Sequence, residues 1–182
     1  HGMSAITAIT AQNTLAITAV QDVRPDVIKA QIDAVAEDIG VDAAKTGMLH
    51  TSEIIRVVAE EKEKYGFPIV VDPVMVAKSG VRLLEEEATE TLIRDLLPLA
   101  TAVTPNAMEA TAISGIEIRG IDDAEAAARE IARLGSKAVV VKGGHIPGLK
   151  AVDVLLYDDE FRYFEGERVE TETTHGTGCS FS

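Results

Sequence analysis

Residues 4–11 alternate small polar and branched side chains, S-A-I-T-A-I-T-A, and a period of two predicts a strand. Residues 15–20 repeat the alternation, so the two segments are expected to pair across a polar turn at Gln12-Asn13-Thr14. Arg24-Pro25-Asp26 then opens a helix, with proline suited to its first turn. Ile28, Ile32, Val35 and Ile39 follow at helical spacing, and Gly40 supplies a stop. Residues 41–45 predict a short strand ending at Gly47-Met48. Thr51 or Ser52 caps a second helix with an inner face of Ile54, Ile55 and Val58, closed at Tyr65-Gly66. Residues 69–71 form an apolar run of buried-strand type that ends at Asp72-Pro73.

The rhythm continues through the second half. The pattern predicts helices over 85–97, from Asn106 to Ile113, and over 122–134 with Asp122 or Asp123 as cap. Between them it predicts strands over 102–104 and 138–142. Residues 152–157 and 161–164 read as an antiparallel pair around Asp158-Asp159, and 169–173 as one more strand. Strands alternating with helices predict an α/β domain with a mostly parallel sheet. Ligands of such sheets sit beyond the carboxyl ends of the strands, where Asp72, Asn106, Lys142 and Gly143 fall.

Composition narrows the classes. The chain has 182 residues, 46% hydrophobic and 26% charged, which suits one globular domain. Its formal charge of −13 argues against nucleic acid and anionic membrane as partners. No apolar run is long enough for a membrane span. The single cysteine, Cys179, leaves no disulfide framework or thiolate metal cluster within these residues and fits a reducing, cytoplasmic setting.

Five strings could carry chemistry. In Thr174-His175-Gly176-Thr177-Gly178-Cys179, two glycines free backbone N–H groups to converge on an anion. A helix starting just beyond would make the Cys179 thiol easier to ionise. The same residues read equally as a plain glycine turn with a buried cysteine. In Val141-Lys142-Gly143-Gly144-His145, a strand-end lysine beside two glycines suits a phosphate, or a lysine salt bridge and a turn. Asn106 and Glu109 have the spacing of a helix capping box, and equally that of two polar heads holding a hydrated magnesium ion. Asp72 introduces a loop with Lys78 and Ser79 and could serve a metal, a substrate hydroxyl or its own turn. Gln12 offers both donor and acceptors to the edge of a heteroaromatic ring, or simply lies in a hairpin turn.

Taken in order, A-Q-N-T, K-T-G-M, D-P-V-M-V-A-K-S-G, T-P-N-x-x-E, V-K-G-G-H and T-H-G-T-G-C resemble the hydroxymethylpyrimidine/phosphomethylpyrimidine kinases of thiamin biosynthesis, in the ribokinase-like superfamily. The resemblance implies a three-layer α/β/α sandwich with a mostly parallel central sheet. It implies ATP-dependent phosphorylation of 4-amino-5-hydroxymethyl-2-methylpyrimidine, then of its monophosphate, with Mg²⁺. By position it implies Gln12, Met48 and Val74 in the substrate pocket. Asn106, Glu109, Lys142 and Thr177 fall to the nucleotide, Glu109 and Asp72 to the metal. Gly176, Thr177, Gly178 and Lys142 would stabilise charge, with Cys179 as catalytic base; Asp72 and Lys78 match less closely.

The family also has a strand and glycine-rich segment before the position of His1 and helices after that of Ser182. Residues 1–182 are therefore expected to be a single kinase domain lacking its N-terminal strand and C-terminal helices. Two other readings stay open at this stage: a pyridoxal-type vitamin kinase, and an inert ligand-binding fragment if the protein ends at Ser182. The paired strands near the N-terminus leave an edge that would suit a second copy, so a homodimer is also expected.

Overall fold

The computed structural model describes residues 1–13, 16–76, 82–146, 150–167 and 181. An antiparallel pair, β1 (Ala8–Gln12) and β2 (Ile17–Asp22), stands apart from the main sheet. The main sheet takes β3 (Ala44–Thr46), β4 (Ile69–Val71), β5 (Ala102–Val103), β6 (Ala138–Val141), β7 (Lys150–Tyr157) and β8 (Glu160–Glu167) in sequential order. Strands β3 to β6 run parallel, and β7 and β8 return antiparallel. Register places Ile69, Val71, Val103, Val139, Val141, Val154 and Leu156 in the core, while Val70, Ala102, Val140 and Leu155 on the other face are half-buried.

Helix α1 (Pro25–Asp38) precedes β3, and α2 (Ser52–Tyr65) crosses from β3 to β4. Thr51 caps α2 by accepting from Ile54 N, and Gly66 ends it at φ 71°, a left-handed conformation that glycine adopts without strain. Ile54, Ile55 and Val58 point inward as the spacing required. Between β4 and β5, α3 (Glu86–Thr91) widens into a π-turn over Leu92–Leu96 and ends in a 3-10 turn over Leu97–Leu99. The expected single helix over 85–97 is thus irregular in its last turns. Leu97 N reaches back five residues to Leu92 O, and Pro98 brings no N–H to continue the ladder. Helices α4 (Ala107–Ser114) and α5 (Ile121–Ala132) join β5 to β6.

Several boundaries differ from expectation. Residues 4–7 are not strand; Gln31 instead binds both Ile6 N and Ile6 O through its side-chain amide. Gln12 is the last residue of β1, opposite Ile17 at a bulge, rather than part of a turn. Neither Asp122 nor Asp123 caps α5, because the helix begins one residue earlier, after Gly120; Asp123 accepts from Arg119 N from within the first turn. Strands β7 and β8 are longer than the pattern suggested, joined through Asp158 and Asp159 at φ 50° and 61°. The expected strand over 169–173 lies outside the described residues.

Candidate active site at the strand carboxyl ends

Four consecutive parallel strands each deliver a site segment just past their carboxyl ends: Gly47-Met48 after β3, Asp72 after β4, Asn106 after β5 and Lys142 after β6. The last three meet. Lys142 Nζ donates to Asp72 Oδ1 at 2.9 Å, across a separation of 70 residues. Both are buried, Asp72 to 2% exposure and Lys142 to 9%. Lys142 N donates to Pro105 O at 2.8 Å, which seats the start of the Lys142-Gly143 turn against Asn106.

Asn106 and Glu109 form the full capping box of α4. Asn106 Oδ1 accepts from Glu109 N at 3.0 Å, and Glu109 Oε2 accepts from Asn106 N at 2.7 Å. The cap and the buried site coincide, so the two readings of this string do not compete. Glu109 is 4% exposed. Burial pushes its carboxyl above the usual carboxylate range and Asp72 adds to that push, while the Asn106 N–H and the Lys142 ammonium offset it in part.

Asp72 Oδ2 and Thr46 Oγ1 are buried without a hydrogen-bond partner among the described residues. A buried carboxylate oxygen left so carries a desolvation cost that a cation or donor would remove. Two carboxylates with one free oxygen suit magnesium, which binds through one or two carboxylates and otherwise through water and phosphate. The same hard-oxygen chemistry gives no cage of three or more protein ligands among the described residues.

Two residues missed from sequence complete the cluster. Asp153, an acid inside the apolar run of β7, accepts from Gly143 N at 2.6 Å and fixes the turn after Lys142. Its lone charge among valines and leucines was the available signal. Thr46, in the K-T-G-M string, is buried opposite Val71, the residue before Asp72. Val74 N donates to Asp72 O, so Val74 follows Asp72 in a tight turn. Gln12 stands exposed at the end of β1, and Met48 O accepts from Thr7 Oγ1 at the base of that strand. Gln12 is exposed, whereas Asp72, Glu109 and Lys142 are buried. Lys78, Gly176, Thr177, Gly178 and Cys179 lie outside the described residues.

The mostly parallel sheet and its strand-end cluster define a ribokinase-like kinase domain. The family model for phosphomethylpyrimidine kinase matches residues 1–182. The chain is 44% identical over 183 residues to the hydroxymethylpyrimidine/phosphomethylpyrimidine kinase of Bacillus subtilis (strain 168), covering all of this chain and 68% of that protein. The phosphomethylpyrimidine kinase of Clostridium difficile 630 superposes with a TM-score of 0.85 at 48% identity, over 92% of this chain and 73% of the other. An ADP complex of Bacillus subtilis pyridoxal kinase superposes with a TM-score of 0.89 at 38% identity, over 100% and 69%. The chain belongs to the phosphomethylpyrimidine kinase family, a family of phosphotransferases.

Proposed function

We propose that this chain carries the catalytic machinery of a kinase that phosphorylates 4-amino-5-hydroxymethyl-2-methylpyrimidine and then its monophosphate, with ATP as donor and Mg²⁺ as cofactor. The observation that carries the reading is the buried Asp72–Lys142 pair beside Glu109, with one Asp72 oxygen still unbonded, in a chain of this family. Asp72 and Glu109 would hold Mg²⁺, which supplies charge neutralisation at the nucleotide phosphates. Lys142 is the one described cation in this cluster and would draw the transferring phosphoryl group, with Asn106 orienting the nucleotide. Gly176, Thr177 and Gly178 would offer backbone N–H groups to the same charge.

In the first step the substrate hydroxyl oxygen forms a bond to the γ-phosphorus, the bond to the bridging oxygen breaks, ADP leaves, and Cys179 takes the hydroxyl proton. In the second step the acceptor is a phosphate oxygen already ionised at neutral pH, and Cys179 positions it. Gln12, Met48 and Val74 would read and enclose the pyrimidine. The β1–β2 pair lies outside the main sheet, and its outer strand edges would suit a second copy. No described helix is long and apolar enough to cross a membrane, and the acidic surface suits small-molecule partners in the cytoplasm rather than nucleic acid.

The test is ADP release by the full-length protein with ATP, Mg²⁺ and either the hydroxymethylpyrimidine or pyridoxal. Turnover of the pyrimidine with a higher kcat/KM is the expected result. Preference for pyridoxal would move the assignment to the second reading, which the pyridoxal kinase superposition favours. Turnover of neither would leave a binding domain.

A further inference from the structure

The β1–β2 arm is a cantilever: its two strands pair with each other and with no strand of the main sheet. Both strands are tied at their base to one short segment, Met48 to His50. From β1's side, Thr7 Oγ1 donates to Met48 O at 2.8 Å. From β2's side, Asp22 accepts from His50 Nδ1, at 2.9 Å to Oδ1 and 3.0 Å to Oδ2. Gln31 also holds Ile6 N and Ile6 O just ahead of β1, so the β1 side is fixed by Gln31 and Met48 and the β2 side by His50; ties on both strands set the angle of the arm.

His50 is built as a fixed post. Leu49 before it is buried, Thr51 after it caps α2, and His50 O accepts from Glu85 N at 3.1 Å. The ring is shielded to 22% exposure and Asp22 to 35%. Gln12 lies at the far end of β1, while Asp22 is opposite Ala8 at its start, so Gln12 is about 14 Å from the tie at roughly 3.4 Å per residue, and a tilt of about 10° at the base carries it about 2.4 Å. Such a displacement is enough to break its hydrogen bonds to a ring edge.

We propose that His50, through Asp22, is a positioning residue that sets the β1–β2 arm and so places Gln12 over the acceptor substrate. This rests on the reading of Gln12 as a substrate contact.

The experiment compares His50→Ala, His50→Asn, Asp22→Ala and the double alanine variant in the full-length enzyme. His50→Ala should raise the KM for the acceptor about five- to ten-fold, the worth of one hydrogen bond between Gln12 and a neutral ring edge. The KM for ATP and kcat should stay within about two-fold on the same scale. His50→Asn, whose amide can donate where Nδ1 does, should restore the acceptor KM. Asp22→Ala should match His50→Ala, and the double variant should be no worse than either. Equal losses for ATP and acceptor, failure of asparagine to restore, or additive losses would overturn the proposal. Hydrogen exchange of the amides in 8–12 and 17–21 reads the arm without turnover: it should quicken in His50→Ala and not in His50→Asn. If the wild type prefers pyridoxal, the functional reading fails alone, and the arm is scored on the pyridoxal KM and on exchange. Unchanged exchange in His50→Ala would sink the arm whatever the substrate.

Discussion

Gly143 has no room for a side chain. A Cβ there would sit 1.9 Å from Val152 O, a backbone atom of the neighbouring strand, while its N–H is held by Asp153. Gly143→Ala must therefore push the end of β6 away from β7 and carry Lys142 with it. We expect a loss of about 1–3 kcal/mol by denaturant unfolding, typical of overpacking, and a fall in kcat. Glu109→Gln separates two roles of one residue. Glutamine can still accept from Asn106 N, so the capping box survives. The wild-type carboxyl has a raised folded-state pKa, so its contribution to stability is greatest at low pH and declines as pH rises through the raised value. Ligand-free Glu109→Gln should therefore gain Tm over the wild type at pH 8 and lose that advantage at pH 4, yet turn over far more slowly with Mg²⁺ and ATP. A variant with no gain at pH 8 would contradict the desolvated carboxylate. Cys179→Ala in the full-length enzyme should lower kcat much more than it raises either KM; equal kinetics would refute the assignment of a base to Cys179.

At the scale of elements, α1 and α2 are joined by charge as well as by packing. Lys64 Nζ and Tyr65 Oη both donate to Asp33 Oδ1 at 2.6 Å, and Lys29 pairs with the buried Glu61. The Lys64 contact foremost, then the Tyr65 hydroxyl, hold Asp33 down at about 2. A lowered carboxylate pKa stabilises the fold above the unfolded value and loses that contribution as pH falls through the folded one. Asp33→Asn should lower Tm at pH 6, with the gap closing between about pH 4 and pH 2; a constant gap would contradict the ion pair. High salt should shrink the gap at pH 6, because the Asp33–Lys64 pair is only partly buried. The β7–β8 turn offers a local test too. Asp159 stands at φ 61°, where glycine is less strained, so Asp159→Gly should raise stability by about 0.5–1 kcal/mol. Elements such as α2 were readable because their signals are local: Thr51, the inner face of Ile54 and Val58, and Gly66 lie within one stretch of chain. The Asp22–His50 tie was not readable, since its partners are 28 residues apart and meet only through the fold. Asp72 and Lys142 were each legible as strand-end groups, but their ion pair depends on β5 lying between β4 and β6. The irregular end of α3 escaped because periodicity over 85–97 does not distinguish an α-turn from a wider one.

For the whole molecule, the net charge of −13 means that repulsion opposes an approaching nucleotide everywhere except at a local cation. Of the described bases, most are already matched to carboxylates, as Arg24 is to Asp26 and Lys150 to Glu165. Lys142 differs in being buried with its acid at the strand ends. The sequence pI near 4.7 also predicts that solubility is lowest at about that pH and improves sharply toward neutrality, measurable by light scattering across a titration.

Sequential strand order has a consequence for how the chain is made. Each strand of the main sheet docks beside the one synthesised just before it, so the sheet can grow as the ribosome delivers it. The buried carboxylate of Asp72 is an exception to that local order. It emerges 70 residues ahead of its cation, so a nascent chain that has not yet reached Lys142 carries an uncompensated acid at the edge of a half-built sheet. Translation of Lys142, just past β6, is then the moment at which that acid gains its cation.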